Sequence, residues 1–194
     1  NLAFSALYDP KTKNLFKTEG FYLWGQAEGE TNVDKGGIAF RYERKLTERA
    51  YFFAELPYLR DRFKGITYLI SPAVGVGAKA VKTPKVELDL SAGAGGAFEK
   101  DEGFPETSSG AVSAGEALTW KISQSATFTQ KLTGLWKTDD WSDAFYHFEM
   151  AISAGLTKRS ELKVAALADY KNKPVTPDME KTDTALIAAL VMKF

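Results

Sequence analysis

Along most of the chain apolar residues alternate with polar or small ones, the two-residue period of a β-strand whose faces meet different surroundings. From Val86 to Glu99, the residues Val86, Leu88, Leu90, Ala92, Ala94 and Phe98 share one face, and Glu87, Asp89, Ser91, Gly93, Gly95 and Glu99 share the other. The same alternation sets Ile38, Phe40 and Tyr42 against Arg41 and Glu43, and Tyr146, Phe148, Met150 and Ile152 against His147, Glu149 and Ser153. It recurs in Leu162, Val164, Ala166 and Tyr170 against Lys163 and Asp169. Turn-rich breaks return roughly every 17 residues, so the pattern predicts an all-β chain of about eleven strands. Their ranges are 1–9, 15–28, 36–45, 49–61, 66–80, 85–99, 109–122, 126–137, 144–156, 161–171 and 182–194. From the third strand onward the apolar face carries even numbers, a parity that survives only if connections leave odd numbers of residues unpaired or a bulge intervenes. In the second strand Phe21 and Leu23 compete with Tyr22 and Trp24 for that face.

The connections alternate in kind. Residues 10–14, 45–48, 81–84, 123–125 and 157–160 form a short, often basic set; residues 29–35, 100–108, 138–143 and 172–181 form a longer, mostly acidic one, with 61–65 its short exception. Outer-membrane barrels have short periplasmic turns and longer outward loops, which this alternation matches. A lipocalin-like calyx would turn the greasy face inward instead, and three features favour the membrane. The strands have spanning length, the polar face is crowded with small residues such as Gly75, Gly77, Gly93 and Gly95, and the apolar face carries rings towards strand ends at Tyr42, Tyr58, Phe98, Trp120, Trp136, Tyr146, Tyr170 and Phe194. The expected architecture is one antiparallel transmembrane β-barrel over residues 1–194, in the bacterial outer membrane. Because bacterial barrels usually have an even strand number, a twelfth strand is expected ahead of Asn1. Glu116 is out of place on a face that should be apolar.

Composition narrows the chemistry. The 25 basic and 25 acidic residues of the 194 cancel, which disfavours a nucleic-acid binder. The longest apolar run, Ala185 to Met192, is far short of the roughly 18 residues of a spanning helix. Without cysteine there is no disulfide scaffold, cysteine-rich zinc site or thiol nucleophile. The chain opens inside an alternating stretch with no starting Met or signal segment, and so reads as processed or trimmed.

The polar face is expected to line the lumen with charge of both signs: Arg41, Glu43, Glu55, Lys79, Glu87, Asp89, Lys131, Glu149, Lys163, Asp169 and Asp183, with His147 among them. Unpaired charges in a narrow barrel are costly, so opposite signs should pair and block the interior. The competing reading is a small wetted pore whose charged walls select ions or small solutes. A hydrolase would need a serine or equivalent at His147 and a third group to orient the ring, a geometry the sequence does not fix. No metal or cofactor is expected, since there is a single histidine and no phosphate loop or dinucleotide signature. The acid clusters Asp101, Glu102 and Glu106, and Asp139, Asp140 and Asp143, read as solvated loop charge rather than a calcium loop. Pro57 and Pro72 lack ladder donors, so the hairpin between them should carry a bulge or gap.

The block ERAYFFAELPYLRDRFKG from Glu48 to Gly65, followed by the glycine-alternating SPAVGVGAKAV, resembles the YdiY-like salt-induced outer membrane protein family, also called domain of unknown function 481. Trp120-Lys121-Ile122-Ser123, Thr127-Phe128-Thr129-Gln130 and the strand from Lys181-Thr182-Asp183-Thr184 to Phe194 extend the match over most of the chain; Pro57 and Glu116 depart from it. The resemblance implies fold and compartment, a link to salt or osmotic stress through the family label, and little about activity. The alternation ending in Leu190, Met192 and Phe194 looks like the signal read by the barrel assembly machinery. The expected partners are therefore that machinery, the lipid bilayer and lipopolysaccharide, with no nucleic acid. Three roles stay open: an envelope structural or narrow-channel protein, a membrane hydrolase using His147, and a subunit or anchor of a larger envelope complex.

Overall fold

The structure, a computed structural model, describes residues 2–27, 30–157, 160–174, 176 and 179–192. Twelve strands form one antiparallel sheet: β1 (Leu2–Tyr8), β2 (Asn14–Ala27), β3 (Glu30–Lys45), β4 (Ala50–Asp61), β5 (Ile66–Ile70), β6 (Ala73–Lys82), β7 (Val86–Asp101), β8 (Thr107–Lys121), β9 (Ala126–Lys137), β10 (Ala144–Gly155), β11 (Ser160–Lys171) and β12 (Thr182–Met192). Neighbours in sequence are neighbours in the sheet, except that β5 and β6 share one place between β4 and β7. The expected fifth strand, 66–80, is thus corrected to two. Pro72 has no N–H to give, the ladder stops at Ser71, and the freed groups bond irregularly: the Ser71 amide to the Pro57 carbonyl at 3.2 Å and the Gly96 amide to the Pro72 carbonyl at 3.0 Å. The register also slips between Leu59 and Asp61 and between Ile66 and Tyr68, so the two prolines do mark an irregular hairpin.

The connection expected at residues 29–35 is a second correction. Strand β3 already starts at Glu30 and pairs with β2 down to Ala27 opposite Glu30. The segment is polar because the top of this hairpin stands beyond the aromatic level of Tyr22 and Trp24, where a strand meets water rather than lipid. Similarly β7 reaches Asp101 and β8 begins at Thr107, which shortens the expected loop at 100–108.

Elsewhere the parity argument holds. Register partners such as Phe40 and Leu56, Leu90 and Glu116, or Met150 and Ala166 are even with even, so one face stays continuous from strand to strand. That face points outward: Leu186 is 79% exposed, Val76 59% and Trp24 50%, while on the other face of β2 and β4 Leu23 and Phe53 are buried. In β2, therefore, Tyr22 and Trp24 take the apolar exterior. Rings form two bands on this exterior. Near the short turns Phe16 lies between Tyr8 and Tyr42, with centroids 6.1 and 5.2 Å away. Near the long loops Tyr146 lies between Trp136, whose indole N–H donates to its hydroxyl at 2.9 Å, and Tyr170. Rings at two levels with aliphatic side chains between them match the two interfaces of a bilayer.

The sheet rolls over its polar face. Lys131 of β9 reaches Glu19 of β2, and Lys35 of β3 reaches Asp169 of β11, both across the interior. With β5 and β6 counted as one position the wall has eleven, so β1 and β12 run in the same direction. Among the described residues no pairing joins them.

Candidate functional site, an ion-paired lumen

Strand alternation sends odd-numbered side chains inward, and the charged ones meet as expected of charges that cannot reach bulk water. Towards the short-turn end, Arg41 donates to Glu43 at 2.8 Å and to Glu55 at 2.5 Å, and Lys17 shares Glu43 at 2.8 Å. Arg41 also lies over the Phe53 ring, 3.9 Å from its centroid. Beside it the buried Tyr51 hydroxyl donates to Asp89, and Lys79 pairs with Glu87 at 2.5 Å. In the middle Lys163 pairs with Glu149 at 2.8 Å and Lys131 with Glu19 at 3.2 Å. Replacing Tyr51 with Phe keeps the ring but leaves Asp89 without its donor. We expect a loss of about 1–2 kcal/mol in a urea titration of the vesicle-inserted barrel followed by tryptophan fluorescence.

The pairs tighten towards the long-loop end. Lys35 bonds Asp169 and lies 3.2 Å from Asp61, while His147 Nδ1 lies 2.7 Å from the other Asp169 oxygen. Lys137 and Lys171 both donate to Glu99 at 2.5 Å; Lys137 also reaches Asp143 at 2.6 Å, and Lys171 lies 3.8 Å from Asp101. Lys64, in the turn after β4, crosses the mouth to Asp183 of β12 and the Lys181 carbonyl, each at 3.1 Å. Burial shows the taper: the side chains of Lys64, Glu99 and Lys171 are 2–5% exposed, against 45% and 54% for Lys131 and Glu19 at mid-depth.

Just inside this layer Ile66, Leu69, Ala97 and Ala111 pack with Leu59 and Leu135. The void left beside them, against Glu99, Lys137 and Lys171, is about 10 Å³, room for about one water. Above the layer opens a vestibule of about 310 Å³, walled by the same three residues with Asp101, Phe104 and Pro174. Outside the membrane Lys173 donates to Asp140 and clasps two loops together; that bond, with one from Ser142, holds the Asp140 carboxyl down at about 2.

Each of the twelve charged or ionisable residues singled out on the polar face has an ionic or hydrogen-bonded partner on a neighbouring strand or across the rolled sheet. Sequence reasoning put Glu99 on the polar face but missed Lys35, Asp61, Lys64, Lys137 and Lys171, which close the outer end with it. Parity extended to the strand ends would have found Lys137 and Lys171. Lys35 fell in a stretch read as loop, and no periodicity marks the turn residue Lys64. Asp101 and Asp143, expected as solvated loop charge, join this layer. Leu190 faces outward at 62% exposure, while Phe194 and the side chain of Met192 lie outside the described residues. His147 bonds Asp169 as a triad histidine bonds its orienting acid, but that aspartate is shared with Lys35.

A girdled antiparallel wall with a greasy exterior and a charged interior defines the chain as an outer-membrane-type β-barrel. It belongs to the family described as "Protein of unknown function, DUF481", which matches residues 1–194. Among solved structures it is similar to the NanC porin, at 11% identity and a TM-score of 0.60 with each chain covered in full. It also resembles the outer membrane channel DcaP of Acinetobacter baumannii, at 10% identity and a TM-score of 0.47, covering 98% of this chain and 61% of that one. No curated protein matches it.

Proposed function

We propose that the protein is a narrow channel for small ions in the bacterial outer membrane, with the buried ion pairs at its long-loop end as the constriction. The observation that carries this reading is the taper. A purely architectural wall would gain nothing from a hydrated half that narrows to a layer of paired charges beneath an open vestibule. Charge of both signs at a constriction sets which ions pass, since a permeant ion must replace a partner's contact. His147 serves here as a member of the paired layer, its ring held by Asp169.

Among the described residues β1 and β12 run parallel without pairing, and one antiparallel strand between them would satisfy both edges. Bilayer and lipopolysaccharide contact the exterior, and the outward alternation through Leu190 suits the assembly machinery. The salt-stress link implied by the family fits a pore whose paired charges respond to ionic strength, because screening acts on the half-exposed pairs first.

Planar-bilayer recording of the complete barrel tests the channel. Wild type should show small conductance steps. Lys64→Ala should enlarge them several-fold, since it removes the strut across the mouth while its partner Asp183, 42% exposed, can take up water instead. Correctly inserted barrels that conduct in neither form would overturn the proposal.

A further inference from the structure

At mid-depth the exterior carries a polar pair that conduction does not use. Glu116 of β8 and Gln130 of β9 both lie on the even-numbered face that meets lipid, and the Gln130 amide donates to the Glu116 carboxylate at 3.4 Å. Register fixes their depth. Val112 pairs with Trp136 of the outer ring band, Trp120 pairs with Phe128 at the opposite end, and Glu116, opposite Leu132, stands midway between Val112 and Trp120. At about 3.4 Å per residue the carboxylate lies about 14 Å along the strand from either level, near the middle of the bilayer. The outward pair of Asp34 and Arg60 is placed differently, beside the Tyr22 hydroxyl at the interface, where water and headgroups are within reach.

Hydrocarbon offers Glu116 nothing to replace water, and an ionisable group at such depth calls for a protein partner. The surroundings are shaped for one. Leu90 and Leu132 beside it are 45% and 39% exposed, and the next register pair, Ala92 with Ala114, is exposed and low enough for another wall to approach closely. Lipopolysaccharide headgroups are too far away to serve. The patch itself supplies both halves of a hydrogen bond: an amide with a second N–H beyond the one given to Glu116, and a carboxylate with lone pairs to spare. A surface carrying donor and acceptor side by side is complementary to its own copy turned by a twofold axis.

We infer that this patch is the contact between two copies of this chain in the membrane, with each Gln130 giving its second N–H to Glu116 of the other copy. The inference rests on the transmembrane barrel and not on conduction, so failure of the channel reading leaves it standing.

The absence of cysteine makes a clean test possible. Leu132→Cys in the complete barrel, reconstituted in vesicles of native outer-membrane lipid, places a single thiol per copy beside the proposed axis. Oxidation should give disulfide-linked dimers, whereas Val164→Cys, on a distant outward face, should give none. Adding Glu116→Leu and Gln130→Leu should cut the Leu132→Cys dimer at least tenfold, with the folded, heat-modifiable barrel band unchanged. An equal yield after the double substitution would overturn the inference. So would a barrel that stays monomeric by mass photometry, or a thiol that captures a different protein.

Discussion

Gly75→Val should prevent the barrel from reaching its compact, heat-modifiable form or lower its stability by more than about 3 kcal/mol, the upper range for overpacking. The inward face of β6 and β7 is floored by glycine at positions 75, 77 and 93, and the rings of Phe53 and Tyr51 lie on that floor. A Cβ at position 75 would stand 2.2 Å from the Ala92 carbonyl oxygen, 2.6 Å from Gly93 Cα and 2.6 Å from Phe53 Cζ. The ring could turn away, but the two backbone atoms belong to the paired strand and cannot yield without separating the ladder. Trimming the ring with Phe53→Leu should therefore rescue little. Refolding yield by gel shift, followed by urea titration of whatever folds, measures both effects. Wild-type stability in Gly75→Val would show that β6 and β7 are not packed as closely as their register requires. The small residues are thus what allow aromatic side chains to lie flat on the lumen wall, with Arg41 stacked over Phe53.

That floor shows what the sequence made legible. Alternation revealed which residues face inward, because a strand has only two faces and lipid tolerates little charge on one of them. Gly75 and Gly93 were readable as lumenal and Leu186 or Val76 as lipid-facing from parity alone. Even the irregular hairpin could be anticipated, since Pro57 and Pro72 withhold donors wherever they stand in a sheet. Depth was harder to read. Lys131 and Lys137 share a face and a strand, yet the first is 45% exposed in the side chain and the second 15%, because Lys137 packs among Glu99, Asp143, Ile66 and Leu69. A contact such as Lys64 with Asp183 spans more than a hundred residues and depends on how tightly the whole sheet rolls, a property no local window holds. The polar stretch 29–35 misled for a related reason: beyond the aromatic level the outer face of a strand need not be apolar, and the inward Lys35 is charged as well, so the alternation that marks the other strands fades.

Glu99→Leu should cost about 3–5 kcal/mol, the range for removing one partner of a buried ion pair, and should alter conductance as well. Its carboxylate is 3% exposed in the side chain and accepts from two ammonium groups, one on β9 and one on β11, so its loss strands both. Lys137 keeps Asp143 at 2.6 Å, but Lys171, 5% exposed, is left with Asp101 at 3.8 Å as its remaining acid. The informative comparison is the triple variant Glu99→Leu with Lys137→Met and Lys171→Met. Burying charge is expensive even when it is well paired, so exchanging the whole cluster for apolar side chains should return stability to within about 1 kcal/mol of wild type or above it. Asp143, about a fifth exposed at the vestibule, can hydrate on its own, whereas Asp101 is as exposed but keeps its Oδ1 buried and retains part of the cost. Conductance should then fall instead of recovering, because an apolar collar next to Ile66, Leu69 and Leu135 would repel water from a layer whose remaining void is only about 10 Å³. Stability restored with conduction lost would separate what holds this barrel together from what lets ions through it. A triple variant that conducts like wild type would move the constriction away from Glu99, towards the paired layer around Lys35 and Asp169.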